Sequence, residues 1–170
     1  MATREIVTLP HPVLRRKAHK VTEFDKDLQN LIDDMVETLR AAPGVGLAAP
    51  QIAVDSRVVV VEYGDEEDEQ APKKLYTLVN PEIIKTSSET GDGIEACLSI
   101  PGLVGEVERY QEIVIKALNR QGKPVKVKAR DWLARIFQHE IDHLDGVLYP
   151  DRATRVWQPR EDEEVLVSAD

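Results

Sequence analysis

An α+β fold is predicted, with small mixed or antiparallel sheets packed around a buried C-terminal helix and another helix near the N-terminus. Three features of the 170-residue sequence predict it. The segment Asp25 to Ala42 places Leu28, Leu31, Ile32, Met35, Val36 and Leu39 at helical spacing. Short β-branched runs then dominate the middle of the chain. A second helical segment carries "RIFQHEIDHLDG", residues 135–146, in which two histidines stand four apart.

Each element has a local reason. The first helix ends at Pro43 and Gly44, a helix stop. Strands are expected at "RVVVVEY" (57–63), "LYTLVN" (75–80), "EIVIKAL" (112–118) and "PVKVKA" (124–129). The last two flank "NRQGK", a hairpin turn with Gly122 at a left-handed position. Asp131 is the expected N-cap of the second helix, which runs to about Asp145 and stops at Gly146. Beyond residue 152 the sequence turns polar and acidic, and Pro159 interrupts it. The expected organisation is therefore a catalytic domain over 1–152 and a weakly ordered acidic tail over 153–170.

Composition narrows the class. An apolar fraction of 42% with 31% charged residues is that of a soluble globular protein. No stretch approaches the length of a membrane-spanning helix, and the first twenty residues contain no apolar leader. The formal net charge of −9 argues against general or direct nucleic-acid binding. Much of the negative charge lies in "DEEDEQ" (65–70) and "EDEE" (161–164), read as solvated loop and tail. The lone Cys97 excludes an internal disulfide and favours a reducing compartment.

His139 and His143 lie one helical turn apart, so both imidazoles can reach one metal ion, and Glu140 sits between them. Composition alone gives about 0.009 chance matches to this pattern, which is informative without being decisive. A purely structural helix would leave two histidines and a glutamate among Ile136, Phe137, Ile141 and Leu144. Two ligands do not hold a catalytic metal, and a third must be found. A metzincin would carry a further histidine where this chain has Tyr149. A thermolysin-like protease would use a downstream glutamate, and Glu161, Glu163 and Glu164 lie in range. Upstream, "GIEACLSIPG" holds Cys97, which by itself reads equally as a buried apolar residue or a nucleophile paired with a histidine. A third stretch, "GVGLAAPQ", offers two glycines, small residues and the amide of Gln51.

Together "GVGLAAPQ", "EACLS" and "QHEIDHLDG" resemble, in order, the three signatures of the peptide deformylases, and the resemblance spans roughly Ile6 to Arg152. It implies that Cys97, His139 and His143 are the metal ligands, with one coordination position left for water. It also implies Glu140 as general acid–base, and the Gln51 amide with the Leu98 backbone N–H as oxyanion donors. The implied cofactor is one divalent ion, Fe²⁺ natively, with Zn²⁺, Ni²⁺ or Co²⁺ able to replace it. The implied substrates are N-formylmethionyl peptides of nascent chains, deformylated with release of formate and paired along Gly44, Val45 and Gly46. Ile136 is expected either to line the methionine pocket or to pack in the core. The implied location is the bacterial cytoplasm, with any transient ribosome contact made by a surface other than the acidic tail. One departure is Ala96 where the family carries glycine; a positive φ there would strain it. The alternatives are a zinc endopeptidase using a tail glutamate, or a non-catalytic metal- or peptide-binding protein of the same fold.

Overall fold

The computed structural model describes residues 2–64, 70–160 and 167–168. Two sheets flank a central helix. The first has five strands, β1 (Gly46–Ala48), β2 (Val58–Tyr63), β3 (Lys74–Thr86), β6 (Glu112–Leu118) and β7 (Pro124–Arg130), in the order β1-β2-β3-β6-β7. The second comprises β4 (Thr90–Cys97), β5 (Ile100–Tyr110), β8 (Ala153–Trp157) and β9 (Val167–Ser168), in the order β8-β5-β4-β9. Every pairing is antiparallel except β4 with β9. The mixed α+β class expected from sequence is thus observed.

Helix α1 (Lys26–Ala41) starts at Asp25, whose carboxylate accepts from the Leu28 backbone N–H at 3.0 Å. Its apolar stripe packs on one face of the five-stranded sheet through Val58, Val60 and Val79. The alternate residues Val59, Val61, Ile113 and Ile115 point to the other face, where they meet Ile136, Phe137, Ile141 and Leu144 of helix α2 (Asp131–Leu144). Strand period 2 therefore gives this sheet two buried faces under its first strands. Ile136 lies in this core, at 3% exposure. A third cluster, with Val13, Leu14, Ile100, Val107, Leu148 and Tyr149, lies under the four-stranded sheet.

The α2 start differs from the sequence reading by one residue. Arg130 is the N-cap and Asp131 is the first helical residue, at φ 56°. Asp131 follows an edge strand whose last pair is Glu112–Arg130, so the chain must turn sharply there and the cap falls on the strand's end. Gly146 (φ 74°) and Gly122 (φ 83°) occupy the left-handed positions expected of them. Ala96 does not: it lies inside β4, outside the left-handed region, so alanine is unstrained there.

Strands β4 and β5 carry the largest difference from the sequence reading, which places no strand at 90–97 or 100–110. "TGDGIEAC" and "IPGLVGEVERY" hold glycines, an aspartate and a proline that depress strand propensity. Two of those glycines are imposed by neighbours. A Cβ on Gly93 would stand 2.7 Å from Arg135 Cζ, and one on Gly105 would stand 2.8 Å from Tyr149 Cε2. The segment read as a weakly ordered tail begins with β8, which pairs with β5 from Val104 to Val107. Residues 65–69 of "DEEDEQ" and all of "EDEE" lie outside the described residues.

Candidate active site

The site is assembled by three segments remote in sequence. Helix α2 projects His139 and His143 from successive turns of one face. Cys97 closes β4 at a two-residue turn, Leu98–Ser99, after which Ile100 pairs back to it. Gln51 lies in a 3₁₀ turn (Ala49–Ile52) directly after β1. The ligand atoms of Cys97, His139 and His143 all lie within 4.8 Å of one another, and all three residues are buried. Cys97 Sγ is 3.5 Å from His143 Nε2.

One thiol and two imidazoles so close together have the composition of a three-ligand catalytic metal site, and their burial withholds them from bulk water. The orientation of His139 agrees. Its Nδ1 is 2.8 Å from Glu95 Oε1, and a carboxylate can only accept. Nδ1 therefore carries a proton, which leaves Nε2 as the ring nitrogen that can face a metal, as in an imidazole that a carboxylate orients. The residues present fit a divalent cation.

Glu95, fully buried, is the centre of a charged network that sequence reasoning missed. Arg109 donates to both its oxygens at 2.9 Å, and Arg135 donates to Oε2 at 2.8 Å. Burial drives the Glu95 carboxyl upward, but the donors from Arg109 and His139 overcome this and hold it at about 2. Burial likewise lowers Arg109, and contact with Glu95 and Asp142 more than reverses it, so the guanidinium stays charged. Asp142 joins the network by accepting from Arg109 at 2.6 Å and from Arg152 at 2.7 Å. A signal was present in the sequence: Arg135, His139 and His143 recur every four residues, placing an arginine on the ligand face.

Glu140 is fully buried and lies against β1. A Cβ at Gly46 would come 2.6 Å from Glu140 Oε2, so glycine at the start of β1 makes room for this carboxylate. Gln51 is fully buried too. Its Oε1 accepts from the Ala48 N–H at 3.0 Å, while Nε2 donates to Ser99 Oγ at 3.2 Å and faces Cys97 Sγ at 3.7 Å. Ser99 was not singled out from sequence. Leu98 sits in the turn between Cys97 and Ser99. Gly44 and Val45 lead into β1, and the Val45 carbonyl accepts from the Glu62 N–H at 2.9 Å. Strand β1 ends the five-stranded sheet, so the structure brings the expected peptide-binding segment to a sheet edge beside Glu140 and Gln51. The rival third ligands, Glu161, Glu163 and Glu164, lie outside the described residues.

The sequence profile described as Polypeptide deformylase matches residues 3–158. A peptide deformylase from Symbiobacterium thermophilum is 51% identical over 164 residues, covering 96% of this chain and 73% of its own length. Peptide deformylase 1 of Bacillus subtilis is 47% identical over 157 residues, covering 92% and 94%. Among solved structures, the crystal structure of peptide deformylase from Thermotoga maritima superposes with a TM-score of 0.84 at 38% identity, covering 91% of this chain and 100% of that one.

Proposed function

Because the chain belongs to the polypeptide deformylase family, we propose that it hydrolyses the formamide of N-formylmethionyl nascent chains, releases formate, and holds the required divalent metal with Cys97, His139 and His143. The observation that carries this reading is the convergence of the Cys/His₂ donor atoms within 4.8 Å, in a buried site bordered by Glu140 and Gln51. A cation bound there supplies Lewis acidity, which acidifies the attacking water and polarises the formyl carbonyl. The other steps belong to the chain's own side chains.

Glu140 takes the proton of the attacking water and delivers it to the departing amine. The Gln51 Nε2 group and the Leu98 backbone N–H donate to the oxyanion that develops on the formyl oxygen. Ser99 and the Ala48 N–H hold the Gln51 amide in one orientation, which supports the donor assignment. The substrate backbone extends along Gly44, Val45 and Gly46 as an added strand, and the free edge of β1 supports this. Main-chain contacts of this kind tolerate many sequences beyond the first residue. The native metal in this reading is Fe²⁺, with Zn²⁺, Ni²⁺ or Co²⁺ able to occupy the same mixed thiolate–imidazole donors. The reaction takes place in the bacterial cytoplasm, through transient contact with ribosomes that carry the nascent chains.

The test is formate release from formyl-Met-Ala-Ser by Fe²⁺-loaded protein handled anaerobically, with Glu140→Gln run alongside and metal content measured in both. The parent releases formate, while the variant keeps its metal and loses about 10²–10⁴-fold in rate. Absence of release from the parent at full metal occupancy would refute the reaction. An equally active variant would refute Glu140 as the proton carrier.

A further inference from the structure

The face of the five-stranded sheet that α1 covers does not stay covered. Under α1 it is apolar, through Val58, Val60 and Val79. Past the edge of α1 the same face turns basic, with Lys85 on β3, Lys116 on β6, and Lys126, Lys128 and Arg130 on β7, all exposed. Register groups them: Val114 pairs with both Lys85 and Lys128, Lys116 pairs with Lys126, and Glu112 pairs with Arg130. Alternate residues along β7 stand about 7 Å apart and β3 lies about 10 Å from β7, so the cations form one plate. A concavity of about 430 Å³ opens in it, lined by Lys85, Glu112, Lys128 and Arg130 among others.

Two facts distinguish this plate from ordinary surface charge. The whole chain has a net charge of −9, yet here five cations face only Glu82 and Glu112. None of the five makes an ion pair among the described residues, as holds for the other described lysines. Lysines on β7 alone would be accounted for as protection of an edge strand, but Lys116 lies on β6, paired on both sides, where no edge needs protection. Like charges placed side by side across strands are destabilising, so the cluster is held against its own repulsion.

We propose that this basic plate docks on the phosphate backbone of double-helical RNA. The residues named in the plate include no aromatic side chain, which leaves neither a stacking platform for unpaired bases nor an interfacial anchor for a membrane. Unpaired lysines on a flat sheet fit phosphates presented in rows, and A-form RNA is recognised largely through its backbone and shape. Over a Debye length of about 8 Å, the local plate and not the net charge sets the field that a phosphate meets. The choice of RNA over other polyanions rests on the deformylase reading, since nascent chains emerge from an RNA-rich particle. This contact would run against the expectation from net charge that nucleic acid is avoided.

The experiment measures binding of the metal-loaded full chain to an RNA duplex of about 20 base pairs across a salt series starting near 50 mM. The triple variant Lys116→Gln, Lys126→Gln, Lys128→Gln is compared with a control, Lys17→Gln, Lys20→Gln, Lys26→Gln, altered at exposed lysines elsewhere. The plate variant is expected to bind at least about tenfold more weakly, with a salt slope reduced by about 2–3, while the control binds like the parent. Equal weakening in both variants means a net-charge effect and overturns the proposal, as does a parent that does not bind the duplex. Binding only to vesicles of phosphatidylglycerol and phosphatidylcholine overturns it in favour of a membrane. Formate release is followed in every variant: if retained, it shows that folding is intact. Binding without formate release would refute the deformylase reading and leave the RNA surface standing.

Discussion

The two sheets are held together in different ways. The five-stranded sheet is joined to α1 and α2 mainly by apolar side chains, alternating Val58 and Val60 to one helix and Val59 and Val61 to the other, with a peripheral Arg40–Glu62 ion pair between α1 and β2. The four-stranded sheet meets α2 through a buried charged network in which Glu95 is shared by Arg109, Arg135 and His139. Apolar packing has graded strength, so it absorbs change methyl by methyl. A charged network fails more sharply, because removing one member strands the others without water. The protein thus uses the tolerant sheet for its body and the intolerant one to aim His139.

The largest effect is expected at the metal itself. Cys97→Ala on β4 should abolish or severely weaken metal binding, read as metal stoichiometry after dialysis; full occupancy would remove Cys97 from the ligand set. Next comes the network. Arg109→Met leaves Glu95 and Asp142 with less compensation and should cost about 3–5 kcal/mol in denaturant unfolding. A loss below about 1 kcal/mol would erase the contrast between the sheets.

In the tolerant sheet, Val60→Ala removes two methyl groups from a fully buried site and should cost about 2 kcal/mol with the metal content unchanged. A loss of metal there would show that the two sheets are coupled. The smallest effect is expected at the surface, where Arg15 pairs with Asp151. Arg15→Ala should cost less than about 1 kcal/mol. Burial raises the Asp151 carboxyl, but contact with Arg15 brings it below the usual carboxylate range. A group depressed in this way stabilises the fold above the ordinary carboxylate pKa, and that contribution is lost as pH falls through its folded value. The Arg15→Ala cost should therefore be present at pH 7 and vanish in acid, as unfolding at both pH values will show.

Helix α1, strands β6 and β7, the Gly122 turn and the histidine-bearing α2 were all legible in the sequence, because each rests on a period or turn signal within a dozen or so residues. His139, Glu140 and His143 were legible for the same reason, since helical spacing alone puts the two imidazoles on one side. Cys97 and Gln51 were reached only by resemblance to a family. Nothing local to "EACLS" or "GVGLAAPQ" says that a thiol and an amide 46 residues apart face each other at 3.7 Å.

Tertiary structure alone decided the remainder. Strands β4 and β5 form despite their glycines, because Arg135 and Tyr149 fill the space that side chains at Gly93 and Gly105 would take. Glu95 is ionised while buried only because Arg109, Arg135 and His139 arrive from other elements. The basic plate exists only because β3, β6 and β7 are neighbours in the sheet. Periodicity is a property of adjacent residues and survives without a fold. Ionisation, close approach and clustered charge depend on which distant segments meet, and only the packed chain settles that.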